Sequence, residues 1–420
     1  MNESPARATA LAALPASVIV RAIADASARW CDADYPPRVR ALAAVVRRTG
    51  YAEPVVEYAL EALFSSIDAE RLTAAVELEM GALATLDGAP FGTPARSAGP
   101  AGRVTFVSSD TTIGVALVPA LFALVAKCEV VVRDRGDDLI ATFAETLAEE
   151  HAGVGRALRA RRWDDRDDDD LLATLAASEV VVAFGRTPAL TAIRAATSPE
   201  ASFLGFGHRT SLAYLEREAL ATPGAVAELA ERAARDALLY DGEGCLSPHA
   251  IFVERGGATA PEDVAAELAL AFDRTIVEFP TSALGAASVH ARARAEAFRR
   301  AVATAGAPPP PRLFRSPADA YLLLVEPPAE LLPPLEPCVV ALYAVDGPAD
   351  AAAFIARHRV PLEAAGVATP AAVRADVASG LRALGARRIA ALGEMQRPAI
   401  GGPHGGVARV APFVRYTWHD

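Results

Sequence analysis

The stretch of this chain with chemistry in it is Asp241-Gly-Glu-Gly-Cys-Leu-Ser-Pro-His-Ala-Ile-Phe-Val253. A thiolate is the strongest nucleophile among the uncharged side chains at neutral pH, and Gly242 and Gly244 let the backbone turn sharply and a substrate approach closely. Cys245 is therefore the candidate nucleophile for covalent catalysis. His249, four residues on, is the candidate for moving its proton. An unpaired cysteine is most often a small buried hydrophobe, so the assignment rests on the segments around it. Among other titratable groups, His404 lies between Pro403 and Gly405 and is a candidate to face a cleft. His290 shares a predicted helix with Arg292 and Arg294 and is expected at the solvent. Glu243 and Glu394 read as surface or capping carboxylates.

A turn of this kind needs a sheet to hold it. Residues 17–30, 38–49, 54–65 and 70–83 carry apolar residues at spacings of three and four and predict a helical preface. From Gly102 the pattern becomes strand (from Val104), helix (114–127) and strand (129–133), a βαβ unit. Helix 139–149, an acidic connector at 164–170 and strand 179–184 extend the alternation; the connector is read as a solvated loop and assigned no metal. Gly185-Arg186-Thr187 then opens a helix, where backbone N–H groups with Arg186 and Thr187 could hold a phosphate. No Gly-x-Gly-x-x-Gly accompanies it. A single strand-like segment at 201–214 follows, then helix 225–239 leads into the cysteine turn and strand 250–254. Helices at 262–272, 288–304 and 349–357, strands at 321–325 and 339–345, a proline connector at 308–311 and strand 414–418 complete the chain. No repeat of fixed period is present. The fold class is α/β with parallel, doubly wound sheets.

With 420 residues the chain is long enough for two or three domains, and its composition is 52% hydrophobic and 6% aromatic with a formal net charge of −11. Such an acidic chain is a poor match for nucleic acid. Its apolar runs are shorter than the roughly 20 residues of a membrane span, and no N-terminal signal pattern is present, so a cytoplasmic location is expected. Cys31, Cys128, Cys245 and Cys338 are widely separated, which argues for reduced thiols rather than a disulfide frame or a zinc site.

Three segments carry a family resemblance: the strand-helix-strand ending Val130-Val-Val-Arg133, the Gly-Glu-Gly-Cys-Leu-Ser-Pro turn, and the closing Leu-Gly-Glu-Met-Gln-Arg-Pro, Gly-Pro-His-Gly-Gly and Val-Arg-Tyr-Thr-Trp segments. From about residue 100 onward the chain resembles the acyl-CoA reductases of the bacterial bioluminescence operon, within the aldehyde dehydrogenase superfamily. The resemblance implies an aldehyde dehydrogenase-like fold of two doubly wound α/β domains. It places a helical preface and nucleotide-binding domain at 1–215, a catalytic domain at 216–405 and a C-terminal strand segment at 406–420, with the nicotinamide between the two domains. It implies reduction of an acyl thioester to an aldehyde through an acyl group on Cys245, with NADPH as donor. Arg133 matches a position where the superfamily has Lys near the adenosine ribose, and a guanidinium there suits a 2′-phosphate. Gly185, Arg186 and Thr187 match the segment that meets the pyrophosphate. The hydrolytic members' Glu falls within 203–208, where this chain has Leu204-Gly-Phe-Gly-His. Asp110 stands where relatives place an oxyanion-donating Asn; one missing donor costs about 10²–10³ in rate. The options are a protonated Asp110, a substituting hydroxyl from Ser109 or Thr111, or a weakened catalyst. The expected partners are an acyl-CoA or acyl-carrier thioester, an acyl-transferring subunit and a second copy of the chain. The alternatives are a non-catalytic or thioester-holding partner subunit of an acyl-transfer complex, and an acyl phosphate reductase.

Overall fold

A computed structural model describes residues 11–92, 95–109, 112–134, 136, 138–163, 169–283, 285–304, 312–316, 318–326, 335–359, 361–370 and 374–418. The proline connector at 308–311 and residues 164–168 of the acidic run lie outside them. The chain forms two compact units, 1–208 with 399–420, and 209–398. The sequence boundaries at 215/216 and 405/406 fall a few residues later in each case, because residues 210–215 pair within the second unit's sheet and 399–405 cluster with the first.

The first unit opens with helices Ala16–Trp30, Pro36–Thr49, Glu53–Phe64 and Ala69–Met80. Proline in the first turn starts two of them, where its missing N–H costs nothing. Asp68 caps the fourth by accepting from the Arg71 N–H at 2.8 Å. Trp30 packs on Phe64 and Phe143, with ring centres 4.6 and 5.7 Å apart, and its indole N–H reaches Thr146 Oγ1 at 3.0 Å. Strand β1 (Arg96–Pro100) is followed by β2 (Arg103–Val107), β3 (Glu129–Asp134), β4 (Leu158–Arg162), β5 (Val180–Phe184) and β6 (Ser202–Phe206). The last five form one sheet of order β4-β3-β2-β5-β6, every pair parallel. The chain runs outward from β2 to β4 and then returns to β5, so the order reverses between β2 and β5. In open α/β sheets ligands bind outside the carboxyl ends of the strands at such a reversal.

The second unit contains β7 (Thr210–Leu215), β8 (Pro248–Glu254), β9 (Arg312–Arg315), β10 (Leu322–Glu326), β11 (Val339–Val345), β12 (Leu362–Ala368) and β13 (Arg388–Ala391) in the order β13-β12-β7-β8-β11-β10-β9. Its pairs are parallel except β9 with β10. Both faces are buried, as parallel sheets require. Ile251 and Val253 of β8 meet the helices Pro223–Leu238 and Pro261–Glu278, while Ala250 and Phe252 join the cluster with helices Pro348–His358 and Arg374–Ala383. The segment read as one strand at 201–214 is two, β6 and β7, broken at Gly207-His208-Arg209 and belonging to different sheets. The last strand, β14 (Val414–Trp418), pairs antiparallel with β1 in a two-stranded ribbon. Among the described residues no helix is long and apolar enough to cross a membrane.

Candidate active site

The cysteine turn is built on unusual backbone. Tyr240, Asp241 and Gly242 all have positive φ, 58°, 55° and 68°. Left-handed conformations cost a residue with a Cβ roughly 1–2 kcal/mol each, and such strain persists only where the surroundings over-determine it. Here the surroundings do. The Asp241 carbonyl accepts from the Cys338 N–H at 2.8 Å, its Oδ1 accepts from the Ser282 N–H at 3.0 Å, and a Cβ on Gly242 would stand 3.0 Å from the Ala237 oxygen.

Beyond the strained residues the turn is pinned on two sides. Ser211 of β7, fully buried, donates through Oγ to the Cys245 carbonyl at 2.7 Å and accepts from the Ala364 N–H of β12 at 3.2 Å. Ser211 lies where the register shifts toward both neighbours, at His249 on β8 and at Glu363 and Ala364 on β12. Bulges of this type re-aim side chains next to active sites. On the other side Gln396 donates through Nε2 to the Asp236 carbonyl at 2.7 Å and to Ser247 Oγ at 3.0 Å. The Asp236 carboxylate, buried on helix Pro223–Leu238, accepts from the Gly393 and Met395 N–H groups at 2.6 and 3.1 Å. Burial pushes that carboxyl up to about 6 against the pull of those two amides and Arg388. The Arg388 guanidinium holds the Met395 and Glu394 carbonyls at 2.5 and 2.7 Å. The Leu392–Pro398 stretch of the closing signature is thus a buttress for the cysteine turn.

Cys245 itself keeps a face open to solvent, while protein crowds the thiol on its other sides. That crowding pushes the thiol up to about 11, with the Glu363 charge adding to the rise and a backbone N–H and Arg388 opposing it. Burial likewise raises the Glu363 carboxyl, against the nearby Arg387 and Arg209. The resting group is a thiol that a base must deprotonate. His249 is buried within β8, at the bulge.

In the first unit Arg133, at the end of β3, donates through Nε and Nη2 to the Trp163 carbonyl at 3.2 and 2.7 Å, and its own carbonyl accepts from Ser108 Oγ at 2.9 Å. It lines a small cavity with Ser108, Ser109, Thr112 and Arg48 at the carboxyl ends of β2 and β3. Gly185 and Arg186 follow β5, and Thr187 is the first residue of helix Thr187–Ala196; Arg186 and Thr187 are exposed. Arg133 at the end of β3 and the Gly185–Thr187 turn after β5 lie on either side of β2, at the carboxyl ends of the strands. Asp110 and Thr111 lie outside the described residues. His404 meets the Phe206 and Phe184 rings edge-on, with centres 4.7 and 5.4 Å away, and the two phenyl rings stack at 5.1 Å. Pro119, Val182, Leu204 and Phe413 continue this apolar wall, which occupies the segment where hydrolytic relatives were expected to carry their glutamate. Glu243 is exposed; Glu394 contributes its carbonyl to Arg388.

Sequence reasoning passed over Ser211, Asp236, Gln396, Glu363 and Arg388. Of these only Gln396, inside the quoted signature, carried a signal; the others become visible once distant strands are paired.

A family model described as Acyl-CoA reductase (LuxC) matches residues 11–416. No curated protein matches the chain. Among solved structures the chain is similar to a NAD-dependent benzaldehyde dehydrogenase from Corynebacterium glutamicum, at 14% identity and TM-score 0.69, covering 99% of this chain and 87% of that one. It is similar to a NAD-dependent aldehyde dehydrogenase from Sinorhizobium meliloti at 13% identity and TM-score 0.69, covering 98% and 85%. Proline utilization A (PutA) from Bradyrhizobium japonicum matches at 16% identity and TM-score 0.71, covering 99% of this chain and 44% of that one. At these identities the likeness establishes the fold.

Proposed function

Since this chain belongs to the Acyl-CoA reductase (LuxC) family, we propose that it reduces an acyl thioester to an aldehyde with NADPH through an acyl group carried on Cys245. The observation that carries the proposal is the strained, doubly pinned turn that holds Cys245 at the protein surface. Sγ, once deprotonated, adds to the acyl carbonyl; the carbonyl re-forms as the carrier thiolate leaves and takes up a proton, so one thioester replaces another. His249 and Glu363 are the candidates to accept the thiol proton. A bound nicotinamide supplies a hydride, which the chain's own residues do not. The residues present suit such a group: a guanidinium with Ser108, Ser109 and Thr112 at the ends of β2 and β3, and backbone N–H groups opening helix Thr187–Ala196 at the sheet's reversal point. Arg133 would meet the ribose side and Gly185, Arg186 and Thr187 the pyrophosphate. The segment 203–208, which matches the hydrolytic members' glutamate, carries no carboxylate to activate water, and this favours release of aldehyde over acid. Asp110 would stand at the oxyanion position.

An Asp110 carboxylate in place of an oxyanion donor favours a second reading, a subunit that holds an acyl group without reducing it. Intact-protein mass spectrometry of wild type and Cys245→Ala with a panel of acyl-CoAs, followed by NADPH, separates the two. Reduction predicts an adduct on wild type alone that NADPH discharges. An adduct that NADPH leaves in place supports the holding role, and no adduct on wild type refutes the nucleophile.

A further inference from the structure

The end of the second unit's sheet opposite the cysteine turn gathers three carboxylates. Strand β7 ends at Leu215 and leads into Glu216-Arg217-Glu218, while β8 ends on Glu254 beside it. One oxygen from each of Glu216, Glu218 and Glu254 lies within 4.8 Å of the others, and among the described residues no other trio of His, Cys, Asp or Glu is so arranged. Glu216 and Glu254 are only 7% and 4% exposed. Surface acids cluster without consequence; buried ones do so only when compensated.

The compensation visible in the protein is incomplete. Glu254 accepts from the Tyr214 hydroxyl and from the Arg217 N–H and Nε at 3.2 and 2.9 Å. The Arg217 Nη2 is drawn instead to the Asp346 carbonyl at 2.5 Å. Glu216 Oε2 is buried with no hydrogen-bond donor, and the carboxyl's side-chain contact is with the Glu218 carboxyl, which brings no positive charge. One guanidinium thus faces three carboxylates, and burial with the charges of Glu218 and Glu254 pushes the Glu216 carboxyl up to about 7.

We propose that Glu216, Glu218 and Glu254 form a binding site for a calcium-sized divalent cation. The choice of ion follows from the donors: calcium takes about six to eight oxygens, carboxylates among them, whereas magnesium keeps several waters and takes one or two carboxylates. The three oxygens, within 4.8 Å of one another, are close enough to share one ion. The ion joins the end of β7 to the end of β8, two central strands of the sheet that carries the cysteine turn, and acts as a clamp on that sheet. The trio shares no residue with the Cys245 turn or the Arg133 cavity and so stands apart from the proposed reaction.

The test is calorimetric titration of the full-length, chelator-treated protein with Ca²⁺ and, separately, with Mg²⁺ at pH 8, paired with thermal unfolding. The expected result is one Ca²⁺ per chain at about 10⁻⁵–10⁻⁴ M, a rise in unfolding temperature with Ca²⁺, and weaker uptake of Mg²⁺. Glu218→Gln, at an exposed position, should weaken Ca²⁺ at least tenfold while leaving the metal-free unfolding temperature in place. Glu216→Gln should abolish uptake and raise the metal-free temperature by removing a buried charge; if that variant does not fold, Glu218→Gln decides alone. Failure of the wild type to take up Ca²⁺ at about 1 mM, uptake unchanged in Glu218→Gln, or Mg²⁺ binding as tight as Ca²⁺ would each overturn the assignment.

Discussion

The cysteine turn and the Gly185–Thr187 turn both follow from α/β topology, yet they are built to different tolerances. Around Cys245 the protein uses three consecutive left-handed residues, a buried carboxylate on two amides, a buried amide side chain and a serine between two bulges. Around Gly185 there is a strand end, one glycine and the start of a ten-residue helix, with Arg186 and Thr187 open to solvent. The difference tracks what each must do. A nucleophile has to be held within a fraction of an ångström of its productive geometry, and a 1 Å error can cost about 100-fold. A phosphate needs only a set of N–H groups and a positive end, which a helix start provides unaided.

The contrast can be sharpened first by pH. With the thiol held at about 11, the thiolate fraction of Cys245 grows about tenfold per pH unit below that value, so iodoacetamide should label it about 100-fold faster at pH 9 than at pH 7. A rate that levels off by pH 8 would mean the turn activates its thiol at rest. Asp236→Asn comes next: the amide cannot accept from both Gly393 and Met395, and leaving a buried donor unmade should cost about 2–3 kcal/mol in denaturant unfolding. Gln396→Leu keeps the volume but deletes two hydrogen bonds near the nucleophile, for a loss of about 1–2 kcal/mol and a several-fold change in Cys245 labelling at fixed pH. At the other turn, Arg186→Ala should move stability by less than about 0.5 kcal/mol and register only as weaker NADPH binding in a fluorescence titration. If Arg186→Ala proved as damaging to stability as Asp236→Asn, the two turns would not differ as described.

Much of this was legible in the residues because periodicity reports burial. The four N-terminal helices and strands β2, β3, β5, β8 and β11 fall within a few residues of the places their apolar spacing predicts. The misses have physical reasons. Leu158-Arg-Ala-Arg-Arg162 has no apolar run to mark it and predicts no element, and it is the edge strand β4, where charge is what keeps an edge unpaired. Leu362-Glu-Ala-Ala-Gly-Val-Ala368 lacks the β-branched density of a strand, yet β12 lies between β7 and β13, held by its neighbours rather than its propensity. The run across Gly205 and Gly207 carries no proline to announce a break, so its division between two sheets is set by tertiary pairing. At the site, the glycines marked the cysteine turn but not its supports. Ser211 and Asp236 are a polar residue on a strand and a carboxylate on a helix, and each is tied to a backbone N–H more than 150 positions away.

The ribbon of β1 with β14 sets an order of events during synthesis. Arg96–Pro100 leaves the ribosome early, but its partner Val414–Trp418 follows roughly 300 residues later, a wait of about 15–60 s at about 5–20 residues per second. The unit at 209–398 is continuous in the chain and emerges whole within that interval. The cysteine turn and its supports can therefore be assembled on the nascent chain while the first unit still waits for its closing strand.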